Sequence, residues 1–301
     1  MTDVDPKAKK LLSRVGFALC LMVITIFIVQ IILLTGFRII SPKFSERNAA
    51  VFLTLAISVA IGGIPVFYLL TKGLPDSKKG EIIKVKWTQM IGYFMISAAF
   101  MYISNIIGSL INAEIASLKG DVQLNDPIKT LMNGEDIIPT FAYVILIGPI
   151  LEEVIFRKIL LDKIGVLGDI PAILLSGIAF GLFHMNLAQF FYATVLGFIF
   201  AYITLRTNTI RYAVILHMMI NSVGVIASLF IDNIVAMFIM GMWIIAAIAI
   251  GLVLFFIKSK ELKFDFSENP VQKKSVYFLN LGTILYVVTC SIVMGVSIIF
   301  N

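Results

Sequence analysis

Residues 15–36 read VGFALCLMVITIFIVQIILLTG, twenty-two positions without an acidic or basic side chain. As a helix this run rises about 33 Å at ~1.5 Å per residue, enough to cross a hydrocarbon core of about 30 Å. It is longer than the apolar stretch of a cleaved leader, and no small-x-small site follows it, so it is expected to stay as an anchor. Comparable runs recur along the chain. Nine spans are expected, over about Val15–Gly36, Ala49–Thr71, Thr88–Asn112, Ile137–Leu161, Ile170–Met185, Leu187–Leu205, Ile210–Phe230, Ile234–Ile257 and Val276–Ile299. The fifth and sixth are short, and the count falls to eight if the last segment lies in the interface. Composition agrees with lipid as the main solvent. Of 301 residues, 59% are hydrophobic and 14% charged, where a soluble domain carries about 25% charged. Backbone polar groups in lipid must be satisfied internally, so helices are expected throughout. The alternating ten-residue strands of an outer-membrane barrel do not occur. The fold class is therefore all-α: a polytopic transmembrane helical bundle, one membrane domain over residues 1–301.

The net charge of +6 is read as loop charge between spans rather than as a nucleic-acid footprint, and no nucleic-acid partner is expected. Lys7, Lys9, Lys10 and Arg14 precede the first span. Lys72, Lys78, Lys79, Lys84 and Lys86 fill the second loop. Lys158, Lys163, Arg206, Arg211, Lys258, Lys260, Lys263, Lys273 and Lys274 follow on the same side. The loop after Asn112 is acidic, with Glu114, Asp121, Asp126, Glu135 and Asp136 against Lys119 and Lys129; Arg38, Lys43 and Arg47 are the exception on that side. The positive-inside rule then places the N-terminus in the cytoplasm and, with nine spans, the C-terminus outside. Cys20 and Cys290 sit in apolar runs and read as small core hydrophobes.

Ionisable groups within spans are costly and mark function. The fourth span contains GPILEEVIFRKIL, residues 148–160, with Glu152, Glu153 and Arg157 in an apolar setting. Glu153 and Arg157 are i, i+4 neighbours and can pair. Glu152 is rotated about 100° from Glu153 and is left free to work. Pro149 removes a helix hydrogen bond just upstream and is expected to bend the helix around Glu152. The only histidines, His184 and His217, both fall in spans. His217 and Asn221 share a face and offer an imidazole and a carboxamide to a developing oxyanion. Phe180 and His184 have the same spacing, and His184 could position a water or share a proton with Glu152. Counted from the inner end of its span, His184 sits about 20 Å up, higher than Glu152, so a tilt is needed to level the two.

Glu152-Glu153-x-x-x-Arg157, Phe180-x-x-x-His184 and His217-x-x-x-Asn221 resemble, in order, three motifs of the CPBP family of intramembrane proteases. That family includes the CAAX prenyl endopeptidases and the bacteriocin-processing and self-immunity (Abi) proteins. The resemblance covers about residues 137–230. It implies a glutamate-dependent peptidase acting on a membrane-associated peptide or protein. Glu152 and His184 would activate water, His217 and Asn221 would hold the oxyanion, and Glu153 and Arg157 would orient the site. No cofactor is implied. Zinc held by glutamate and two histidines is the alternative, against which stands the lack of a His-Glu-x-x-His motif. The competing function is a non-catalytic immunity or regulatory protein of the same family that binds a membrane partner. A bacterial plasma membrane is the expected location.

Overall fold

The computed structural model describes residues 6–77, 79–120, 136–230, 232–266 and 274–300. Several loop charges invoked above (Lys78, Asp121, Asp126, Lys129, Glu135 and Lys273) lie outside the described residues. Nine long helical elements and no strand occur among the described residues: α1 (Pro6–Ile40), α2 (Asn48–Thr71), α3 (Trp87–Lys119), α4 (137–164), α5 (Asp169–Phe183), α6 (Leu187–Thr207), α7 (Arg211–Leu229), α8 (Ile234–Ser259) and α9 (Leu281–Phe300). Seven of these are long and apolar enough to cross a membrane; the exceptions are α4 and α5. α5 is apolar but only 15 residues long. α4 is interrupted by two wide π-turns, Ala142–Ile147 and Val154–Leu160.

Pro149 explains the first π-turn. In that stretch the Gly148 N–H donates to Tyr143 O, five residues back. The next bond in the same pattern would run from residue 149 to Val144, and proline has no N–H to give. The Val144 carbonyl is thereby left for another donor. Such π-bulges recur at functional sites, and this one lies a turn before the paired glutamates.

α1 and α9 run parallel from the same end of the bundle. The Gly282 N–H donates to Ser13 Oγ at 3.3 Å, and one turn or more further on Cys20 Sγ meets Thr289 Oγ1 at 3.3 Å. Their approach is close enough that a Cβ on Gly16 would fall 2.3 Å from the Gly282 carbonyl carbon. The starts of α1 and α9 therefore lie at the same end of the bundle. Both cysteines are buried and free.

Two packed clusters share the helices that carry the motifs. One joins α1, α4, α5 and α9, with Met22, Phe156, Ile164 and Phe180 fully covered. The other joins α3, α6, α7 and α8 around Phe200, Leu216 and Ala247. α5 and α6 meet through glycines: a Cβ on Gly197 would lie 2.7 Å from Gly177 Cα. Small residues at such crossings let helix backbones approach in lipid, where apolar side chains gain little by leaving the solvent.

The end of the bundle that holds the basic loops is strapped down. The Ser77 N–H donates to Asp162 O, Lys79 pairs with Asp162 at 2.7 Å, and Lys163 pairs with Asp76 at 2.7 Å. Further along the same loop, the Ile83 N–H donates to Thr207 O and the Val85 N–H to the Tyr212 hydroxyl. A second strap follows α8. Asp265 exchanges backbone and side-chain bonds with Asp169, and Arg206 pairs with both carboxylates. These bonds satisfy helix ends of α4 to α7 that would otherwise leave orphan backbone groups.

Candidate active site

The height difference expected between Glu152 and His184 is largely removed by where the helices end. α4 continues to Ile164, so Glu152 stands twelve residues, about 18 Å, above that end. His184 closes α5 fifteen residues, about 22 Å, above Asp169. The ends of the two helices are joined by the short turn 165–168, so both residues reach a similar level without a large tilt.

Glu153 and Arg157 are both fully buried, with Arg157 Nε 3.1 Å from Glu153 Oε2. The other oxygen, Glu153 Oε1, lies 2.9 Å from His217 Nδ1. One carboxylate thus joins a guanidinium on its own helix to an imidazole on α7. Charges this deep need such partners to be tolerated. The Arg157 Nη2 group donates to Gly197 O on α6 at 3.5 Å, and its guanidinium lies 4.3 Å from the Phe180 ring centroid, with Phe156 and Phe200 at 5.8 and 5.5 Å. Phe180 is the hub of the site. Besides Arg157 it packs edge-on against His184 at 5.0 Å and His217 at 5.7 Å. Its place in the F-x-x-x-H motif is therefore mechanical: it levels three polar groups from three helices. Phe200, which also packs on His217 at 5.3 Å, carries no signal in a sequence with 24 phenylalanines.

Glu152 takes the free position expected of it. Its side chain keeps 17% of its exposure, and Glu152 Oε2 stands 3.7 Å from His217 Nε2. His217 consequently lies between the two carboxylates, one on each ring nitrogen. Glu153 accepts from Nδ1 and fixes the ring, as carboxylates do for functional histidines elsewhere. Nε2 is left facing Glu152. Among the described residues no hydrogen bond or ion pair joins Glu152 to His184, whose ring is half-buried at the α5–α6 turn. That turn is tight: Met185 has φ 48°, and the Asn186 side chain caps α6 by accepting from the Ala188 and Gln189 N–H groups.

Asn221 has a partner that its spacing did not disclose. Its amide donates to Val144 O at 2.8 Å, the carbonyl that Pro149 leaves unpaired. The carboxamide holds the wide turn of α4 with one N–H and keeps a second.

Comparison with known proteins adds independent support. The family model described as "Type II CAAX prenyl endopeptidase Rce1-like" matches residues 134–223, the stretch that holds all seven motif residues. The chain is also 38% identical over 85 residues to "Putative membrane peptidase YdiL" of Bacillus subtilis (strain 168). Residues 134–223 are thus similar to the Rce1-like type II CAAX prenyl endopeptidases, and the similarity covers less than half of the chain. The YdiL match covers 28% of this chain and 35% of the relative, so the likeness is to about a third of that protein's length. No solved structure matches the chain. The matched segment coincides with α4 to α7, and the remaining five helices lie outside it.

Proposed function

We propose that the protein is an intramembrane endopeptidase that cleaves a peptide bond of a membrane-associated peptide or protein. The observation that carries this reading is the division of labour between adjacent glutamates. Glu153 is held by Arg157 and His217, while Glu152 is partly exposed and aims at the outer nitrogen of the same imidazole. Glu152 takes a proton from water, and the water oxygen attacks the scissile carbonyl carbon. His217, its Nδ1 engaged by Glu153, turns its Nε2 side toward the oxyanion, and the second N–H of Asn221 completes the pair. Glu152 then returns the proton to the leaving amine as the C–N bond breaks. His184, placed by Phe180, holds the water against Glu152. The buried pair Glu153–Arg157 positions His217.

The reading assigns no metal. A divalent cation shared by Glu152, Glu153 and His217 would sit beside the buried Arg157 guanidinium, and Glu153 would have to leave that partner to bind it. The chemistry of the donor set therefore favours water activation by a carboxylate. Purified protein is expected to keep its activity after exhaustive chelation. Activity lost to EDTA and restored by zinc would overturn the assignment and make His184 and His217 ligands. The function itself is tested by cleavage of candidate membrane peptides in proteoliposomes with wild-type protein and Glu152→Gln. Equal cleavage by both would remove the enzyme reading and leave the immunity or regulatory role.

A further inference from the structure

The π-turn that frees the Val144 carbonyl also aims the residue before it. Tyr143 stacks on Phe52 of α2, with ring centroids 5.3 Å apart and planes 29° from parallel. The ring also lies over Gly148. A Cβ there would fall 3.5 Å from Tyr143 Cε1 and 3.7 Å from Cζ, the carbon that bears the hydroxyl. These are ordinary packing distances, so the phenol fills the notch that the glycine leaves. Glu152 stands one turn after Gly148 on the same face of α4. Helical side chains lean back toward the N-terminus, which turns the Glu152 carboxylate toward that notch. Glu152 is also the charged group that acts on the Tyr143 hydroxyl. Among the described residues that hydroxyl has no hydrogen-bond partner. Its backbone is fixed, because Asn221, one turn from His217, grips the next carbonyl, Val144 O.

Polar groups that face each other beyond direct bonding distance are commonly joined by water. We propose that Tyr143 is a further positioning residue, its hydroxyl donating through one bridging water to Glu152 and holding the base as a carboxylate turned toward the substrate. A tyrosine near the end of a membrane helix also serves as an interfacial anchor, but that role leaves Glu152 untouched. The other groups facing Glu152 are Glu153 and Arg157 on its own helix and His217 on α7, with His184 of α5 across the Phe180 ring. Tyr143→Phe alters none of them and keeps the ring against Phe52 and Gly148. The inference rests on Glu152 being the base, so its test reads Glu152 directly as well as through cleavage.

Full-length protein in proteoliposomes would be titrated by infrared difference spectroscopy, following the protonated-carboxyl band that Glu152→Gln removes. A hydrogen bond to the charged form favours that form, so in Tyr143→Phe the Glu152 titration should move to higher pH by about one unit. Peptide cleavage by the same variant should fall about tenfold on the acid limb and recover toward the alkaline plateau. Phe52→Leu, which releases the ring, should shift the titration the same way by less. An unshifted titration in Tyr143→Phe overturns the proposal. So does a loss of cleavage equal at every pH, which would place the hydroxyl on substrate or on the fold. A shifted titration in protein whose Glu152→Gln variant cleaves like wild type would remove the peptidase reading and leave the Tyr143–Glu152 link standing.

Discussion

At the scale of single residues, the adjacent glutamates have different surroundings and, on the proposed reading, should fail differently. Glu152→Gln keeps shape and removes the proposed base, so peptide cleavage should fall by about 10²–10⁴-fold with the melting temperature unchanged. Glu153→Gln leaves Arg157 and His217 without their buried anion, and removal of one partner of a buried pair costs roughly 3–5 kcal/mol. That variant should lose yield and thermal stability in detergent as well as activity. Adding Arg157→Met should recover part of the stability and none of the catalysis. If Glu153→Gln melts like wild type, the buried pair is not the clamp described. The sequence disclosed this division because i, i+4 spacing places Arg157 over Glu153 and turns Glu152 away. It did not disclose that His217 stands between both carboxylates, since spacing along one helix says nothing of which ring nitrogen faces a neighbouring helix. Nor did it single out Phe200, chemically one of many apolar residues until packing places it against His217.

Among the helices, α4 departs most from regularity, and its irregularity is shared with α7. Asn221→Ala leaves the Val144 carbonyl unpaired in a non-aqueous setting, a loss of about 1–3 kcal/mol. The expected outcome is a lower melting temperature together with reduced cleavage. The discriminating partner is Asn221→Ala combined with Pro149→Ala. Restoring the N–H at residue 149 gives Val144 a donor within its own helix, so stability should return while activity stays low. Continued instability of the double variant would show that the amide serves something other than that carbonyl. Pro149 was legible as a bend; its link to Asn221 was not, because a π-turn changes which carbonyl the proline orphans. The opposite end of α4 carries a pH-sensitive tie. Asp136 accepts from Arg47 and from the Ala49 N–H at the start of α2. The Arg47 hydrogen bond first, and the Ala49 bond second, hold its carboxyl below the usual carboxylate range. A depressed folded-state value means this tie contributes fully above the unfolded value of about 3.9. The contribution is lost as pH falls through the lower folded value. Asp136→Asn should therefore flatten the acid limb of a melting-versus-pH profile and leave the neutral region with the same slope.

For the molecule as a whole, the all-helical membrane bundle followed from hydropathy alone, because each crossing needs its own apolar run; nine spans were expected, and seven helices among the described residues are long and apolar enough to cross. The limits of α4 and α5 did not follow from it, because their ends are tied by Asp76, Ser77 and Lys79 on one side and by Asp265 on the other. Reporter fusions at Lys79 and Lys260 should read cytoplasm and one at Gln123 the outside; a cytoplasmic reading at Gln123 would refute the proposed orientation. The tight turn at His184, Met185 and Asn186 has a consequence for the surrounding bilayer. α5 spans only about 22 Å at ~1.5 Å per residue, against a hydrocarbon core of about 30 Å. Irregular backbone does not persist in lipid unless protein or water covers it. The shortfall is one of hydrophobic mismatch, for which thinning of the bilayer over the α5–α6 turn is the expected response. Such a dimple would lower the headgroup region toward His184 and give water access to the candidate site without a channel through the protein. Turnover should then fall as acyl chains in the reconstituted bilayer lengthen, while the melting temperature of the long helices α1 and α3 changes little.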